Sequence, residues 1–162
     1  MTPDELPGFL AGIRDRAMTT PGPCAKAMAD EYKTHLTRVT LQRFHSTPGQ
    51  FGTPSPAGEG PVASRTGRLA ASVTSWGGGS DGAVGTAFVA PHTIYAVTQE
   101  WGEIHYRRTR EYMHWINSGG EWWKKRVDIP QRPYMRTARD ETIADGSLTR
   151  AATEKFVSIM GL

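Results

Sequence analysis

The chain has 162 residues, enough for one hydrophobic core of ordinary size but not for two independent ones. Its formal net charge of +3 does not demand a polyanionic partner, and its single cysteine, Cys24, excludes an intramolecular disulfide and a thiolate metal cluster. No apolar run is long enough for a membrane span, and the N-terminus is unlike a signal peptide, so we expect a protein that is soluble and intracellular when made.

Two helices are predicted in the N-terminal region. Residues 3–17 place apolar side chains at helical spacing, namely Leu6, Leu10, Ile13 and Ala17. Residues 19–23 should break the pattern, and a second helix of roughly twenty residues should run from Pro23 toward Phe44. The β-branched residues at 37–40 predict that its last turns fray or become extended.

A connector and a hairpin follow. Residues 46–63 are rich in Pro and Gly, which is typical of an extended connector. Residues 69–75 lead into a strand, the glycines at 77–82 predict a turn, and Val84, Thr86 and Phe88 alternate along a second strand. The glycines could instead cradle a phosphate. No lysine with Ser or Thr follows them, however, and no helix opens there, so the hairpin is favoured.

The third quarter of the chain predicts a projecting arm. A short helix over 94–101 should end at Gly102. Apolar runs on both sides of Ser118-Gly119-Gly120 then predict a β-hairpin from Tyr112 to Ile129. The large apolar side chains of this hairpin need shelter against the body of the domain or another subunit; they are Trp115, Ile116, Trp122 and Trp123.

Two helices are predicted at the C-terminal end. Pro130 and Pro133 favour an extended entry, and a helix should run from Tyr134 to Ala144. After a stop at Asp145-Gly146, a last helix should begin at an N-cap Ser147 and face inward with Leu148, Ala151, Ala152, Phe156 and Ile159.

This order of elements predicts an α+β fold. We expect N-terminal helices, a small antiparallel β-sheet with a projecting β-hairpin arm, and C-terminal helices packed on the sheet. Residues 1–162 should form a single domain, with a helical region over 1–45, the connector over 46–63, and the sheet, arm and closing helices over 64–162.

Residues typical of catalysis are scattered. No two of the five histidines have the helical spacing beside a glutamate that zinc hydrolases use. Cys24 has no histidine near it in sequence, and the adjacent Asp140 and Glu141 point about 100° apart on a helix. We therefore predict no catalytic, cofactor-binding or metal-ligating residues, no cofactor and no enzymatic activity.

Basic residues flank the predicted arm. Arg107, Arg108 and Arg110 precede it, and residues 124–126 are Lys-Lys-Arg. Such interleaving of basic and aromatic residues is typical of platforms that bind single-stranded nucleic acid. It is equally typical of a protein interface with tryptophan and arginine anchors. The mild net charge favours a protein partner, and the nucleic-acid alternative stays open.

Three motifs occur in a characteristic order. They are Thr66-Gly67-Arg68-Leu69-Ala70-Ala71-Ser72, then Tyr95-Ala96 followed by Glu100-Trp101-Gly102, then Arg132-Pro133-Tyr134-Met135 with Ala138. In this order the sequence resembles the neck and tail-completion proteins (tail terminators) of long-tailed, non-contractile bacteriophages, over about residues 46–144. Trp101 departs from the pattern, since phenylalanine or tyrosine is expected there.

The resemblance implies a structural virion protein. Copies would form a ring, expected to be hexameric, that caps the head-proximal end of the tail tube and joins it to the head connector after assembly in the host cytoplasm. The implied partners are other copies, the tail tube protein, the head-closure or connector protein and genomic DNA passing through the lumen, with no membrane. Alternatives are a nucleic-acid-binding module that uses the hairpin and a minor tail or baseplate component.

The expected interface residues lie in the arm and at its two ends. They are Trp115, Ile116, Trp122, Trp123 and Arg126 in the arm, and Glu100, Arg132 and Tyr134 at the ends. We also expect Glu100 to pair with Arg132, which would tie the two ends of the arm together.

Overall fold

The computed structural model describes residues 5–41, 67–106, 113–117, 120–129 and 131–161. The helices are α1 (Leu6–Thr19), α2 (Pro21–His35), a π-helical turn (Leu36–Thr40), α3 (Arg68–Ala71), α4 (Ala96–Trp101), α5 (Tyr134–Ala144) and α6 (Ser147–Met160). The strands are β1 (Val73–Asp81), β2 (Val84–Pro91), β3 (Glu103–Tyr106), β4 (Met113–Asn117), β5 (Gly120–Lys124) and β6 (Arg126–Ile129). The predicted connector over 46–63 lies outside the described residues.

Helices α1 and α2 are separated at Thr20 alone, so the break predicted over 19–23 is present but shorter, and α2 begins at Pro21 where Pro23 was predicted. Thr20 between them keeps helical φ and ψ of −71° and −34°. Pro23 has no N–H for the carbonyl of Thr19. The hydroxyl of Ser80 donates to that carbonyl at 3.4 Å and accepts the N–H of Gly22 at 2.7 Å. A side chain from the β-hairpin therefore stands in for the helical hydrogen bonds at this junction.

The start of α2 lies against the β1–β2 hairpin at glycines. A Cβ at Gly22 would clash with the carbonyl of Gly78, and a Cβ at Gly85 would clash with the carbonyl of Pro21. Only a hydrogen atom fits at these positions, since the backbones are in direct contact. The glycines thus set how closely helix and sheet can pack.

Strands β1 and β2 form the predicted antiparallel hairpin, with Val73 opposite Pro91 and Asp81 opposite Val84. The register shifts between Gly77 and Gly79, which is a β-bulge. Helix α2 packs on both strands, and α6 packs against α2. The α+β class is confirmed, but the helix that covers the sheet is α2, whereas the C-terminal helices were predicted there.

The core lies where α2, the π-helical turn, α4 and α5 meet. Its buried apolar residues are Leu36, Leu41, Leu69, Val73, Ala96, Tyr134 and Ala138. The N–H of Leu41 bonds to the carbonyl of Leu36 at 3.0 Å, five residues back, which defines the π geometry. The predicted fraying is therefore wrong, because these residues are held by burial: Leu36 and Thr40 are fully buried.

The C-terminal helices begin and end close to the predicted positions. Helix α5 spans Tyr134–Ala144 as predicted. Ser147 is the first residue of α6 and not its N-cap; Gly146 takes that position with φ of 71°. The carboxylate of Asp145 accepts the Ser147 N–H at 2.8 Å, and this bond lowers the pKa of Asp145. Phe156, predicted to face inward, is 42% exposed because none of the described elements covers it.

Candidate assembly surface

The side chain of Glu100 joins the two ends of the arm. This residue closes α4 and is only 5% exposed. Its carboxylate accepts the backbone N–H groups of Met135 at 2.9 Å and Arg136 at 3.2 Å, in the first turn of α5. Those N–H groups have no partner within their own helix, so a carboxylate there both satisfies them and complements the helix dipole.

The guanidinium that pairs with Glu100 is that of Arg136. Its Nε donates to Oε1 at 3.1 Å, its Nη2 donates to the Glu100 carbonyl at 3.2 Å, and the group stacks 4.5 Å from the ring centre of Trp101. The expected pairing of Glu100 with Arg132 is wrong. Arg132 instead approaches α4 through its backbone N–H, which donates to the carbonyl of Gln99 at 2.6 Å. The predicted extended entry is wrong, because Pro133, with φ of −76° and ψ of 67°, forms an inverse γ-turn in which the Tyr134 N–H donates to the Arg132 carbonyl at 2.8 Å. The arginine of the first turn of α5, and not Arg132, then lies beside the carboxylate.

Two tyrosines fix α5 against the rest of the core. Tyr134 is fully buried and donates its hydroxyl to the carbonyl of Ala96 at 3.3 Å. Tyr32 on α2 donates to the carbonyl of Met135 at 2.8 Å. Burial raises the pKa of Tyr32 to about 12 and raises that of Tyr134 further above its ordinary value. Tyr134, predicted as an interface residue, is therefore part of the core of its own subunit.

The arm between these ends is a two-stranded ribbon. Strand β3 pairs with β6, with Glu103 opposite Ile129, and β4 pairs with β5, with Asn117 opposite Gly120. The hairpin predicted between Tyr112 and Ile129 is thus present in the described residues, and its pairing extends back to β3. These strands mainly contact each other and not the helices.

The predicted arm residues occupy definite positions in this ribbon. Trp115 lies opposite Trp122 in the β4–β5 ladder, and Ile116 lies opposite Glu121. Trp123, opposite His114, has a side chain that is 57% exposed, and the side chains of Lys125 and Arg126 are also exposed. An indole and two cations therefore share one exposed stretch of the arm.

The outer face of the β1–β2 hairpin is a feature that the sequence reading missed. Trp76 and Phe88 lie opposite each other and stack with ring centres 5.8 Å apart, yet they are 44% and 52% exposed. His92 lies 5.9 Å from the Trp76 ring and shares a 2.6 Å hydrogen bond with Thr74. The alternation of Val84, Thr86 and Phe88 predicted a strand with two different faces. It could not show which face of the hairpin α2 covers and which face stays exposed.

An open apolar groove runs along α2. Two adjoining cavities of about 420 and 380 Å³ share Tyr32 and Leu148. The first lies between α2, β2 and the start of α6, and the second lies between α2, α4, α5 and the start of α6. We call their union the α2 groove; its large apolar walls are Met28, Tyr32, Val89, Trp101, Met135 and Leu148. Arg136 and Arg139 line its end beside α5.

The described residues contain no group of three or more His, Cys, Asp or Glu side chains placed to hold a metal ion. Cys24 is a free, half-buried thiol on α2. None of the helices in the described ranges is both long and apolar enough to cross a membrane. No protein-family model, no curated protein and no solved structure matches the chain.

Proposed function

We propose that this chain is a structural virion protein, a tail terminator whose copies form a ring on the head-proximal end of a bacteriophage tail tube. The observation that supports this role most is the arm. A ribbon carrying Trp123 and two exposed cations extends from a body to which Glu100 and Arg136 hold both its ends. Paired strands with an exposed indole and exposed cations are suited to contact a neighbouring subunit.

The distribution of exposed apolar residues gives further support. Trp76 and Phe88 on the sheet, Trp123 on the arm and Leu10 on α1 lie on separate elements, and each is at least 44% exposed. The stacked pair of Trp76 and Phe88 is the contiguous part of this surface, and contiguous exposed apolar patches mark sites of association. Contacts between different surfaces of identical subunits are heterologous; they form a ring where the rotation between subunits closes and an open filament where it does not.

Electron microscopy of the purified protein, alone and mixed with the tail tube protein of the same phage, tests the proposal. We expect rings at one end of each tube and tubes that stop growing. Trp123→Ser should abolish capping, because it removes a large apolar side chain that is 57% exposed, and circular dichroism of the variant checks that it remains folded. Ile94→Ser, at an almost fully exposed side chain outside the arm, is the control and should cap normally. Uncapped tubes with the wild-type protein would contradict the proposal.

The exposed cations beside Trp123 also favour a second candidate, an arm that binds single-stranded nucleic acid. Lys125 and Arg126 would contact phosphates while the indole stacks on a base. In that case fluorescence anisotropy with a labelled oligonucleotide should show binding that weakens steeply with salt and falls in Trp123→Ser. Absence of binding at low salt would leave the tail role as the better account.

A further inference from the structure

Two Asp-Gly dipeptides occur in the chain, Asp81-Gly82 and Asp145-Gly146. In such a dipeptide the backbone nitrogen of the glycine can attack the carboxyl carbon of the aspartate side chain, because glycine has no Cβ to obstruct the approach. The new C–N bond closes a five-membered succinimide ring, while the carboxyl hydroxyl and the amide proton leave together as water. Both dipeptides have the same chemistry, so the fold decides which of them reacts.

Asp81-Gly82 forms the exposed tip of the β1–β2 hairpin. Within the part of the chain that the structure describes, the Asp81 carboxylate accepts no hydrogen bond and forms no ion pair, and the Gly82 N–H donates to no acceptor. A Cβ at Gly82 would meet nothing within 4 Å, so there is room for a ring. The electrophile and the nucleophile of this dipeptide are therefore both available for reaction.

The same two groups are engaged at Asp145-Gly146. The Asp145 carboxylate accepts the Ser147 N–H at 2.8 Å, and the Gly146 N–H donates to the carbonyl of Ile143 at 3.3 Å. The bond from Ser147 lowers the pKa of Asp145, which keeps this carboxyl in the ionised form that lacks a hydroxyl to expel. Both bonds must break before a ring can form, so the rate here should be at least about tenfold lower than at Asp81.

Cyclisation at Asp81 disturbs only the end of the hairpin. Asp81 is paired with Val84, and its carboxyl can turn toward the Gly82 nitrogen when this last pair of the ladder separates. Such separation at the tip of an exposed loop costs little free energy compared with opening of the core. Asp145 connects α5 to α6, so the same movement there has to displace the ends of two helices.

We propose that Asp81 is a site of spontaneous modification, at which the folded protein converts aspartate to isoaspartate through a succinimide formed with Gly82. Water then opens the ring. Attack at the former side-chain carbonyl restores aspartate, and attack at the former backbone carbonyl leaves the chain linked through the side chain of residue 81. One water is lost and one is regained, so no other reactant is needed. The reaction does not depend on the tail role.

Isoaspartate would alter the hairpin tip. The main chain gains one carbon there, so a turn of two residues no longer closes the pair of Asp81 and Val84. The adjacent Ser80 holds the α1–α2 junction through its bonds to the Gly22 N–H and the Thr19 carbonyl. Modified molecules should therefore unfold at a lower temperature than unmodified ones, because a displaced Ser80 loses these bonds.

Isotope labelling followed by mass spectrometry tests the site. The purified full-length protein is incubated in water enriched in heavy oxygen and is then digested in ordinary water. Ring opening adds one heavy oxygen atom to the modified residue, and electron-transfer fragmentation distinguishes isoaspartate from aspartate. We expect label and isoaspartate at Asp81, and at least about tenfold less of both at Asp145. In Asp81→Glu the side chain is one methylene too long for the five-membered ring, so labelling at this position should be lost.

The same incubation in guanidinium chloride isolates the contribution of the fold. In the unfolded chain the hydrogen bonds at Asp145 are absent, so both dipeptides should react at similar rates. A folded protein in which Asp81 stays unlabelled, although both aspartates react in denaturant, would overturn the proposal, since the hairpin tip would then be protected. Equal labelling of Asp81 and Asp145 in the folded protein would overturn it as well. Thermal unfolding of the aged wild type should show an additional, lower transition that aged Asp81→Glu lacks.

Discussion

Glu100 and Arg136 contact each other through both side chain and backbone. The carboxylate accepts from the Arg136 guanidinium and from the Arg136 backbone N–H, while the Glu100 carbonyl accepts a third bond from the same guanidinium. One buried acid thus holds α4, the entry to α5 and both ends of the arm in a fixed relation.

Replacing this acid by its amide should destabilise the protein. Glu100→Gln keeps the shape but loses the charge, and the amide nitrogen cannot accept an N–H of α5, so we expect the free energy of unfolding to fall by about 2 kcal/mol. Urea denaturation followed by tryptophan fluorescence measures it. Glu154→Gln, at an exposed position on α6, is the control and should change stability by less than about 0.5 kcal/mol. Equal effects of the two changes would contradict the role of Glu100.

The contact between α2 and the sheet should tolerate no side chain at Gly22. Gly22→Ala places a Cβ against the Gly78 carbonyl, so helix and hairpin must separate, at a cost of about 2 to 3 kcal/mol in the free energy of unfolding. Gly8→Ala is the matched control in α1, where the added methyl meets nothing within 4 Å. It should leave stability unchanged or raise it by up to about 1 kcal/mol. A neutral Gly22→Ala would show that the helix is not held at this distance.

Removing the hydroxyl of Ser80 should lower the stability of the protein, although Ser80 is exposed. Ser80→Ala leaves the Gly22 N–H and the Thr19 carbonyl without their partner at the α1–α2 junction, and we expect a loss of about 1 to 2 kcal/mol. Ser158→Ala, at an exposed position in α6, should be close to neutral. Thermal unfolding of both variants compares them, and identical midpoints would argue against the junction bond.

Stability should fall in strong alkali because of the buried phenols. Tyr32 has a pKa of about 12 in the folded chain and 10.0 when exposed, so the folded state retains its proton where the unfolded state loses it. Its contribution is complete below pH 10 and declines as the pH rises through 12, by up to about 1.4 kcal/mol per pH unit.

The Tyr32→Phe variant isolates this effect. It should be less stable than the wild type by about 1 kcal/mol at neutral pH, because the bond to the Met135 carbonyl is lost. Between pH 10 and 12 the difference should shrink, since phenylalanine does not ionise. Urea unfolding across this range measures both values. A difference that stays constant up to pH 12 would show that the phenol is hydrated in the folded state.

Local sequence signals predicted much of this fold because each has a local physical cause. Pro133 fixes the entry to α5, and Gly102, with φ of 72°, ends α4. The turn between β1 and β2 follows from Gly82, with φ of 58°. In each case the backbone preference of one residue decides the structure, so no knowledge of the tertiary fold is needed.

The features that the sequence reading missed depend on distant parts of the chain. The partner of Glu100 is decided by the direction of α5, since Arg132 and Arg136 are equally suitable by residue type. The pair of His35 and Glu141, 2.7 Å apart, joins residues 106 positions apart. Whether Phe88 or Phe156 is covered depends on which elements pack over it, and the apolar pattern alone is the same in either case.

The π-helical turn makes the chain tolerant of a change in length at one place. It holds an additional residue between α2 and Leu41, so that Leu36, Thr40 and Leu41 are all enclosed. Deleting one residue there would restore the ordinary i to i−4 hydrogen bonds and leave the residues that follow in nearly the same orientation, whereas a deletion within α2 would rotate them by about 100°. Viable single-residue deletions among natural variants should therefore be found at residues 36–40 and not within α2.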